Sequence, residues 1–254
     1  MSNLHSLKIS IITVTYNSSL TILETLKSVA KQNYSNIEHI IIDGNSNDNT
    51  IEIIKGYPKQ ISKIVSEPDE GIYDAMNKGI ALATGDVIGI LNSDDLYYTK
   101  EIISLVMNQF IIDETIEAVY GDIVYFKTKN PEKVVRFWKA FDYYDNYFDD
   151  GYVIPHPSLF VRKIVYDKIG DYNKNFKISS DYEFMLKAFK VSSFKLMYLN
   201  QTLVKMRKGG ESTKSFKNTL IANIEIHKSW KNNNLSIPFL FFFKRFLHKF
   251  KQIL

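Results

Sequence analysis

Over the first 112 positions the apolar residues of this chain alternate between two patterns: short β-branched runs, and stretches in which they recur every three or four residues. "LKISIITVTYN" (7–17) and "NIEHIIIDGNSND" (36–48) are runs of the first kind that end in Asn, Asp, Gly and Ser. Buried strands read this way where their C-terminal ends meet loops. Between them Ile22, Leu26, Val29 and Ala30 share a helical side, and Thr21 with Glu24 forms a capping box at its start. A helix near 50–56, a strand "ISKIVSEP", a helix "GIYDAMNKGIALA" with Gly85 as its C-terminal stop, and a strand "DVIGILN" repeat the order. Four such alternations predict an α/β domain around a mostly parallel sheet with right-handed crossovers.

Beyond 112 the alternation loosens. "EAVYGDIVYF" and "KVVRFWKAF" read as strands, "FDYYDNYFDDGY" as an aromatic and acidic loop, and helices are expected over 162–169 and 180–190. A strand "FKLMYLN", a segment "TLVKMRKGGES" and a polar helix over 214–231 follow. In the tail "IPFLFFFKRFLHKFKQIL", Phe239, Phe243, Phe246, Leu247, Phe250 and Leu254 lie along one helical side, with Lys244, Arg245, His248, Lys249 and Lys251 mainly on others. That pattern suits a helix lying on an acidic lipid surface. A helix docked on the domain, or an oligomer contact, satisfies it too. The expected organisation is a first half over 1–112, a second half of the same domain over 113–212, and a basic helical segment over 213–254.

Charge sharpens this division. From Lys205 onward there are 11 Lys+Arg against 2 Asp+Glu, a surplus of +9, which leaves 21 basic and 26 acidic residues, or −5, in the rest of the chain. A basic tail seeks polyanions, but its aromatics are phenylalanines in apolar runs rather than spaced stacking platforms, which argues against nucleic acid. The absence of cysteine excludes disulfides, thiolate nucleophiles and zinc–thiolate sites. No signal-peptide pattern opens the chain and no apolar run approaches the roughly 20 residues of a spanning helix, so the expected location is cytoplasmic. With 254 residues, 45% of them hydrophobic, the chain can build a sizeable core.

In parallel sheets ligands bind at the carboxyl ends of the strands, and there the polar residues gather. Tyr16 and Asn17 follow the first strand, Asp43 the second, Glu67 and Asp69 the third, and Asn92, Asp94 and Asp95 the fourth. Any one of them could be a helix cap or a turn residue; four strand ends together point to one site. Two adjacent carboxylates among oxygen-bearing neighbours suit Mg²⁺ or Mn²⁺ rather than zinc, with an N-cap at Ser93 or Asp94 as the structural alternative. Neither GxxxxGK[ST] nor GxGxxG follows the first strand. Nucleotide recognition would then rest on other groups, Tyr16 stacking on a base and Asp43 accepting from an imide N–H or a ribose hydroxyl.

The ordered series "SIITVTYN", "IIDGNSNDNT", "SEPDEGIYDAMNKGIALATGD", "LNSDD" and "ISSDYEFMLKA" resembles family 2 of the inverting glycosyltransferases, from about Lys8 to Ser212. The resemblance implies the GT-A fold, a Rossmann-like sheet flanked by helices, with 1–112 as its nucleotide-sugar-binding half and 113–212 as its acceptor-binding half, here with an amphipathic, basic, membrane-associating C-terminal appendage over 213–254. "GIYDAMNKGI" is similar to bacterial enzymes that build O-antigen, capsule or exopolysaccharide units. Position by position, the resemblance implies that Val14, Tyr16 and Asn17 line the nucleoside pocket, that Asp43 binds uracil or ribose, and that Asp69 and Asn77 lie near the donor. It makes Asp95 the ligand of Mn²⁺ or Mg²⁺ and places Asp94 by the ribose or sugar. Asn92 stands where many members carry the first Asp of a DxD motif. Asp181 corresponds to the general base, a carboxylate that deprotonates the acceptor hydroxyl as it attacks; a helix-start charge after Ser179 and Ser180 is its structural alternative. His156 and Arg207 are candidates for acceptor or phosphate contact.

The expected function is transfer of a hexose or N-acetylhexosamine, with inversion, from a UDP-sugar to an undecaprenyl-diphosphate-linked saccharide. It would take place on the inner face of the cytoplasmic membrane, in surface polysaccharide assembly including lipopolysaccharide. A non-catalytic glycan- or nucleotide-binding module of such an assembly is the alternative, and it has no need of a base at Asp181.

Overall fold

The computed structural model describes residues 7–59, 61–128, 130–209 and 216–251. The β-branched runs form β1 (Ile9–Thr15), β2 (Ile37–Asp43), β3 (Lys63–Ser66) and β4 (Val87–Ile90), joined through α1 (Ile22–Ala30), α2 (Thr50–Lys55) and α3 (Ile72–Leu82). All residues of β1 and β4 are buried, because helices cover both faces of a parallel sheet. β1 pairs in parallel with β2 and β4, and β2 with β3; the register sets Thr15 beside Asp43 and Asp43 beside Ser66. The first three strands therefore end flush along one edge, where the polar residues were expected.

The rest of the chain adds β5 (Leu96–Tyr97), α4 (Ile102–Ile112), β6 (Ala118–Lys127), β7 (Asn130–Trp138), a 3-10 turn His156–Ser158, β8 (Phe160–Arg162) and α5 (Lys163–Ile169). Then come α6 (Ser180–Met185), a π-helical stretch Leu186–Val191, β9 (Leu196–Arg207), α7 (Phe216–Asn232) and α8 (Phe241–Lys251). The strand order is β3-β2-β1-β4-β8-β6-β9-β5, with β7 against β6. β8 runs antiparallel to both β4 and β6, while β6 and β9 are parallel. The sheet is thus parallel in its first half and mixed in its second. The three-residue β8 joins the halves, and Arg162 at its end donates to the carbonyls of Ile116 (2.7 Å) and Phe110 (2.9 Å).

Several local expectations are corrected. The Thr21–Glu24 capping box does not form: Thr21 makes no side-chain cap, and Glu24 accepts from Arg207 Nη2 at 2.7 Å instead, since a long-range guanidinium outcompetes a local amide. α3 ends at Leu82 rather than at Gly85; a Cβ on Gly85 would stand 2.6 Å from the Ser10 amide nitrogen, so this glycine permits close approach to β1. The two segments expected after 194 form one long strand, β9, and the "GGES" stretch lies outside the described residues from Gly210 on.

The C-terminal helices pack on the domain rather than hanging from it. Ile226 and Trp230 of α7 and Phe241 of α8 are buried in the same core cluster as Phe148 and Tyr182. Lys244 and His248, expected to face lipid headgroups, turn inward: Lys244 Nζ pairs with Asp150 at 2.7 Å, and His248 stacks on Tyr152 with ring centroids 3.8 Å apart. The apolar side stays outward, with Phe239 fully exposed and Phe243, Phe246 and Leu247 exposed as well. The side chains of Lys249, Phe250 and Lys251, and all of Leu254, lie outside the described residues. Among the described residues no helix is long and apolar enough to cross a membrane.

Candidate functional site

The loops after β1 and β2 are sewn into one rim. The Asn17 amide donates to Ser46 Oγ (2.8 Å), the Asn47 amide to Asn17 Oδ1 (3.0 Å) and the Ser19 amide to Asp48 Oδ2 (3.1 Å). Asn17 itself adopts a left-handed backbone, φ 49°, a conformation Asn tolerates better than most residues. Tyr16 is 60% exposed beside this rim, open for stacking, while Val14 is buried.

Asp43 is fully buried, and Ser46 donates to it from amide (3.0 Å) and hydroxyl (2.5 Å), as does the Ser66 hydroxyl (2.7 Å). With about four lone-pair positions on a carboxylate, it keeps capacity for a further donor. Next to it, a Cβ on Gly44 would fall 2.3 Å from Asp69 Oδ2, so the Asp69 carboxylate rests directly on the glycine backbone. The other Asp69 oxygen accepts from the Gly71 amide at 2.9 Å, at the start of α3.

From α3 the contacts continue into the second half. Tyr73 Oη donates to Asp181 Oδ1 at 3.1 Å. Burial, and then the Asp181 charge, push the Tyr73 phenol well above its usual range, so it stays a protonated donor. Asp181 is half-buried in the first turn of α6. Asn77, expected near the donor, has both amide ends taken by the main chain of Tyr172: Nδ2 donates to its carbonyl (2.8 Å) and Oδ1 accepts from its amide (3.0 Å). The side chain ties the two halves together where a donor contact was expected. His156 shares a 2.8 Å hydrogen bond with Tyr172 Oη, and burial lowers its pKa against the opposing pull of Asp181. The ring packs edge-on against Tyr172, within the electrostatic reach of Asp181.

At the end of β4 the acidic turn is coupled to the β1 rim by a 2.8 Å hydrogen bond between the Ser18 and Ser93 hydroxyls. Asp95 is 1% exposed; its oxygens accept from the Arg207 amide (3.3 Å) and from Asn92 Nδ2 (3.4 Å), both long contacts. Burial first, then the neighbouring Asp94 charge, raise its pKa well above the carboxylate range. Asp94 is the more exposed of the pair and is raised by burial, with Arg207 opposing. Asn92 Oδ1 is buried without a partner. The Arg207 guanidinium, a phosphate candidate in the sequence, lies buried over the Phe126 ring (4.8 Å) and paired with Glu24, its Nε unpartnered.

An orphaned amide oxygen on Asn92 beside two adjacent carboxylates offers hard oxygen ligands, which suits Mg²⁺ or Mn²⁺. Among the described residues no group of three or more His, Cys, Asp or Glu could hold a metal by itself, so the remaining ligands would be donor phosphate and water. Sequence reasoning did not single out Tyr73 or Ser18. Tyr73 sits within the quoted "GIYDAMNKGI", two residues after the glycine that opens α3, but its partner lies 108 positions away.

This chain resembles many known proteins, among them three described next. TarS of S. aureus (residues 1–349, in complex with UDP-GlcNAc) superposes with a TM-score of 0.68 at 18% identity, covering 94% of this chain and 73% of that one; this chain spans 40% of the longer TarS chain. The mannosyltransferase PcManGT of Pyrobaculum calidifontis, in complex with GDP-Man and Mn²⁺, superposes at 0.60 and 18% identity, over 81% of this chain and 57% of that chain. These likenesses show the GT-A fold. In sequence, the PGL/p-HBAD biosynthesis glycosyltransferase of Mycobacterium tuberculosis is 29% identical over 194 residues, 75% of this chain and 73% of its own length. The family model described as "Glycosyl transferase family 2" matches residues 10–183, and this glycosyltransferase chain belongs to that family.

Proposed function

We propose that this protein transfers a hexose or N-acetylhexosamine, with inversion, from a UDP-sugar to an undecaprenyl-diphosphate-linked saccharide at the inner membrane face, in assembly of a surface polysaccharide such as O-antigen or capsule. The carrying observation is that Asp69 rests on Gly44, next to Asp43, and accepts from the Gly71 amide, while Tyr73, two residues on in α3, donates to Asp181. It supports reading Asp181 as a carboxylate of the second half that faces the nucleotide-side edge of the first. UDP-GlcNAc in the TarS neighbour supports a UDP-sugar over the GDP-sugar of the Pyrobaculum enzyme.

In this reading Tyr16 stacks on the base and Asp43 accepts from it or from the ribose. Asp95, with Asn92 Oδ1 beside it, would hold Mn²⁺ or Mg²⁺, and Asp94 lies nearer the ribose or sugar. Bound there, the ion would offset charge developing on the departing nucleoside diphosphate. Asp181 accepts the proton of the acceptor hydroxyl as its oxygen bonds to the anomeric carbon. The bond to the diphosphate oxygen breaks with its electron pair on the opposite face, so configuration inverts. Tyr73 fixes one oxygen of Asp181 through its hydrogen bond; the other has no partner among the described residues. The outward phenylalanines of α8 support membrane contact, with the helix held by Phe241, Lys244 and His248 and its apolar side exposed.

Asp181→Asn tests the assignment. General-base catalysis contributes about 10²–10⁴-fold, so transfer should fall by roughly 10³ while UDP-sugar binding by calorimetry stays within about twofold. Near-normal turnover would reject the base.

A further inference from the structure

Immediately before α6, three consecutive main-chain amides converge on one carboxylate of α7. Lys177 N–H donates to Glu225 Oε1 at 2.7 Å, and Ile178 and Ser179 N–H donate to Oε2 at 2.9 and 2.8 Å. Glu225 is buried, and charge-assisted bonds of this kind are the strong ones. α7 grips the same helix further on: Ser179 Oγ donates to the Ala222 carbonyl (3.3 Å), Trp230 Nε1 to Tyr182 Oη (2.9 Å) and Asn232 Nδ2 to Glu183 Oε1 (2.8 Å). These contacts flank Asp181 on both sides in sequence.

α6 has six α-helical residues, and its N-cap Ser179 makes no side-chain cap bond. Even with the π-helical stretch Leu186–Val191 that continues it, so short a segment does not hold its own start in place, and the single Tyr73 bond fixes the Asp181 carboxylate at one oxygen alone. We propose that Glu225 is a positioning residue for the transfer reaction: by fixing the main chain of residues 177–179 it aims Asp181 at the acceptor hydroxyl. The inference rests on the reading of Asp181 as the base. A displacement of about 1 Å at a reacting group costs about 10²-fold in rate. Glutamine at 225 keeps the volume but turns an N–H₂ toward a backbone N–H, so at least one of the three bonds is lost.

The test is a double-substitution cycle in the full chain, Glu225→Gln with Asp181→Asn, reading kcat, donor KM, melting temperature and hydrogen exchange of the 177–179 amides. Glu225→Gln should lower kcat roughly 10- to 100-fold, leave donor KM within about twofold, and speed exchange at those amides. In the Asp181→Asn background it should lower kcat no further, because the group it aims is gone. Equal losses in both backgrounds, or unchanged kcat per folded molecule, would overturn the proposal. If Glu225→Gln does not fold, Glu225→Asp, shorter by one methylene, enters the same cycle with the same expected coupling. Failure of the underlying base reading shows separately, as undiminished transfer by Asp181→Asn alone.

Discussion

In residues 7–112 each polar group of the site follows the strand that delivers it, and its hydrogen bonds are largely to neighbouring strand ends. Asp43 ends β2 and is held by Ser46 and Ser66. In residues 113–251 nothing local delivers Asp181. It depends on Tyr73, 108 residues earlier, and on contacts to the short helix α6 from α7, 43 to 49 residues later. A parallel sheet brings its strand ends together as a consequence of forming at all. An irregular half must be assembled by side chains from elsewhere, and it is correspondingly easier to disable without unfolding the sheet.

That contrast can be broken by substitution, beginning with the second half. Trp230→Ala removes a fully buried ring that packs on Phe241 and donates to Tyr182. Large aromatic truncations cost about 3–5 kcal/mol, and chemical denaturation should read a loss in that range, while the folded fraction still binds UDP because β1 and β2 are untouched. Undiminished transfer by this variant would mean that α7 does not matter to the site.

Next in size is an acid effect seated in the first half. His39 is buried on β2, beside the Thr13 hydroxyl at 3.0 Å, and burial lowers its pKa to about 4. The unfolded chain takes up this proton near pH 6.5 and the folded one only near 4. Stability is therefore whole above about 6.5 and falls as pH drops through that window, by about 3 kcal/mol in all. Urea midpoints from pH 7 to 4 check this, and His39→Gln should flatten the profile.

Gly44→Ala is the first-half counterpart of Trp230→Ala. Its Cβ would overlap the Asp69 carboxylate, so Asp69 must move, at about 1–3 kcal/mol. UDP-sugar affinity should weaken with it, whereas the amides of 177–179 keep their exchange protection. The smallest effect on stability, within about 0.5 kcal/mol, is expected for Phe243→Ser, Phe246→Ser and Leu247→Ser together, since all three are exposed. At about 1.5–3 kcal/mol for each fully buried apolar side chain, even partial insertion predicts a roughly 100-fold loss of binding to anionic vesicles. Unaltered co-sedimentation would count against the lipid surface.

The legible parts of the molecule share one physical basis. β1, β2 and β4 show themselves as unbroken β-branched runs because both faces are covered, and the acidic turn stands out because polar groups end an apolar run. β8 escapes notice because three residues carry no period, and β9 reads as two segments because Asn200 and Gln201 interrupt its apolar run. Thr21 and Glu24 have the spacing of a capping box, yet Arg207 lies close enough to take the glutamate. In the tail the two-sided pattern was visible, but periodicity does not say which side meets the domain. A bidentate partner such as Asp150, bonded to both Lys244 and Tyr144, turned the charged side inward.

The linear order of residues, by itself, determined the parallel sheet, the polar edge at its strand ends and the identity of the groups that crowd there, since all three follow from local period and from the reach of one strand to the next. Only the tertiary structure decided that Asp95 is buried while Asp94 is more open, that Asn77 joins the halves, and that Tyr73 and the C-terminal helices hold Asp181 and its helix. Those outcomes turn on desolvation and on contacts between distant segments. Neither quantity is a property of any window of the chain; each exists once the chain has closed on itself.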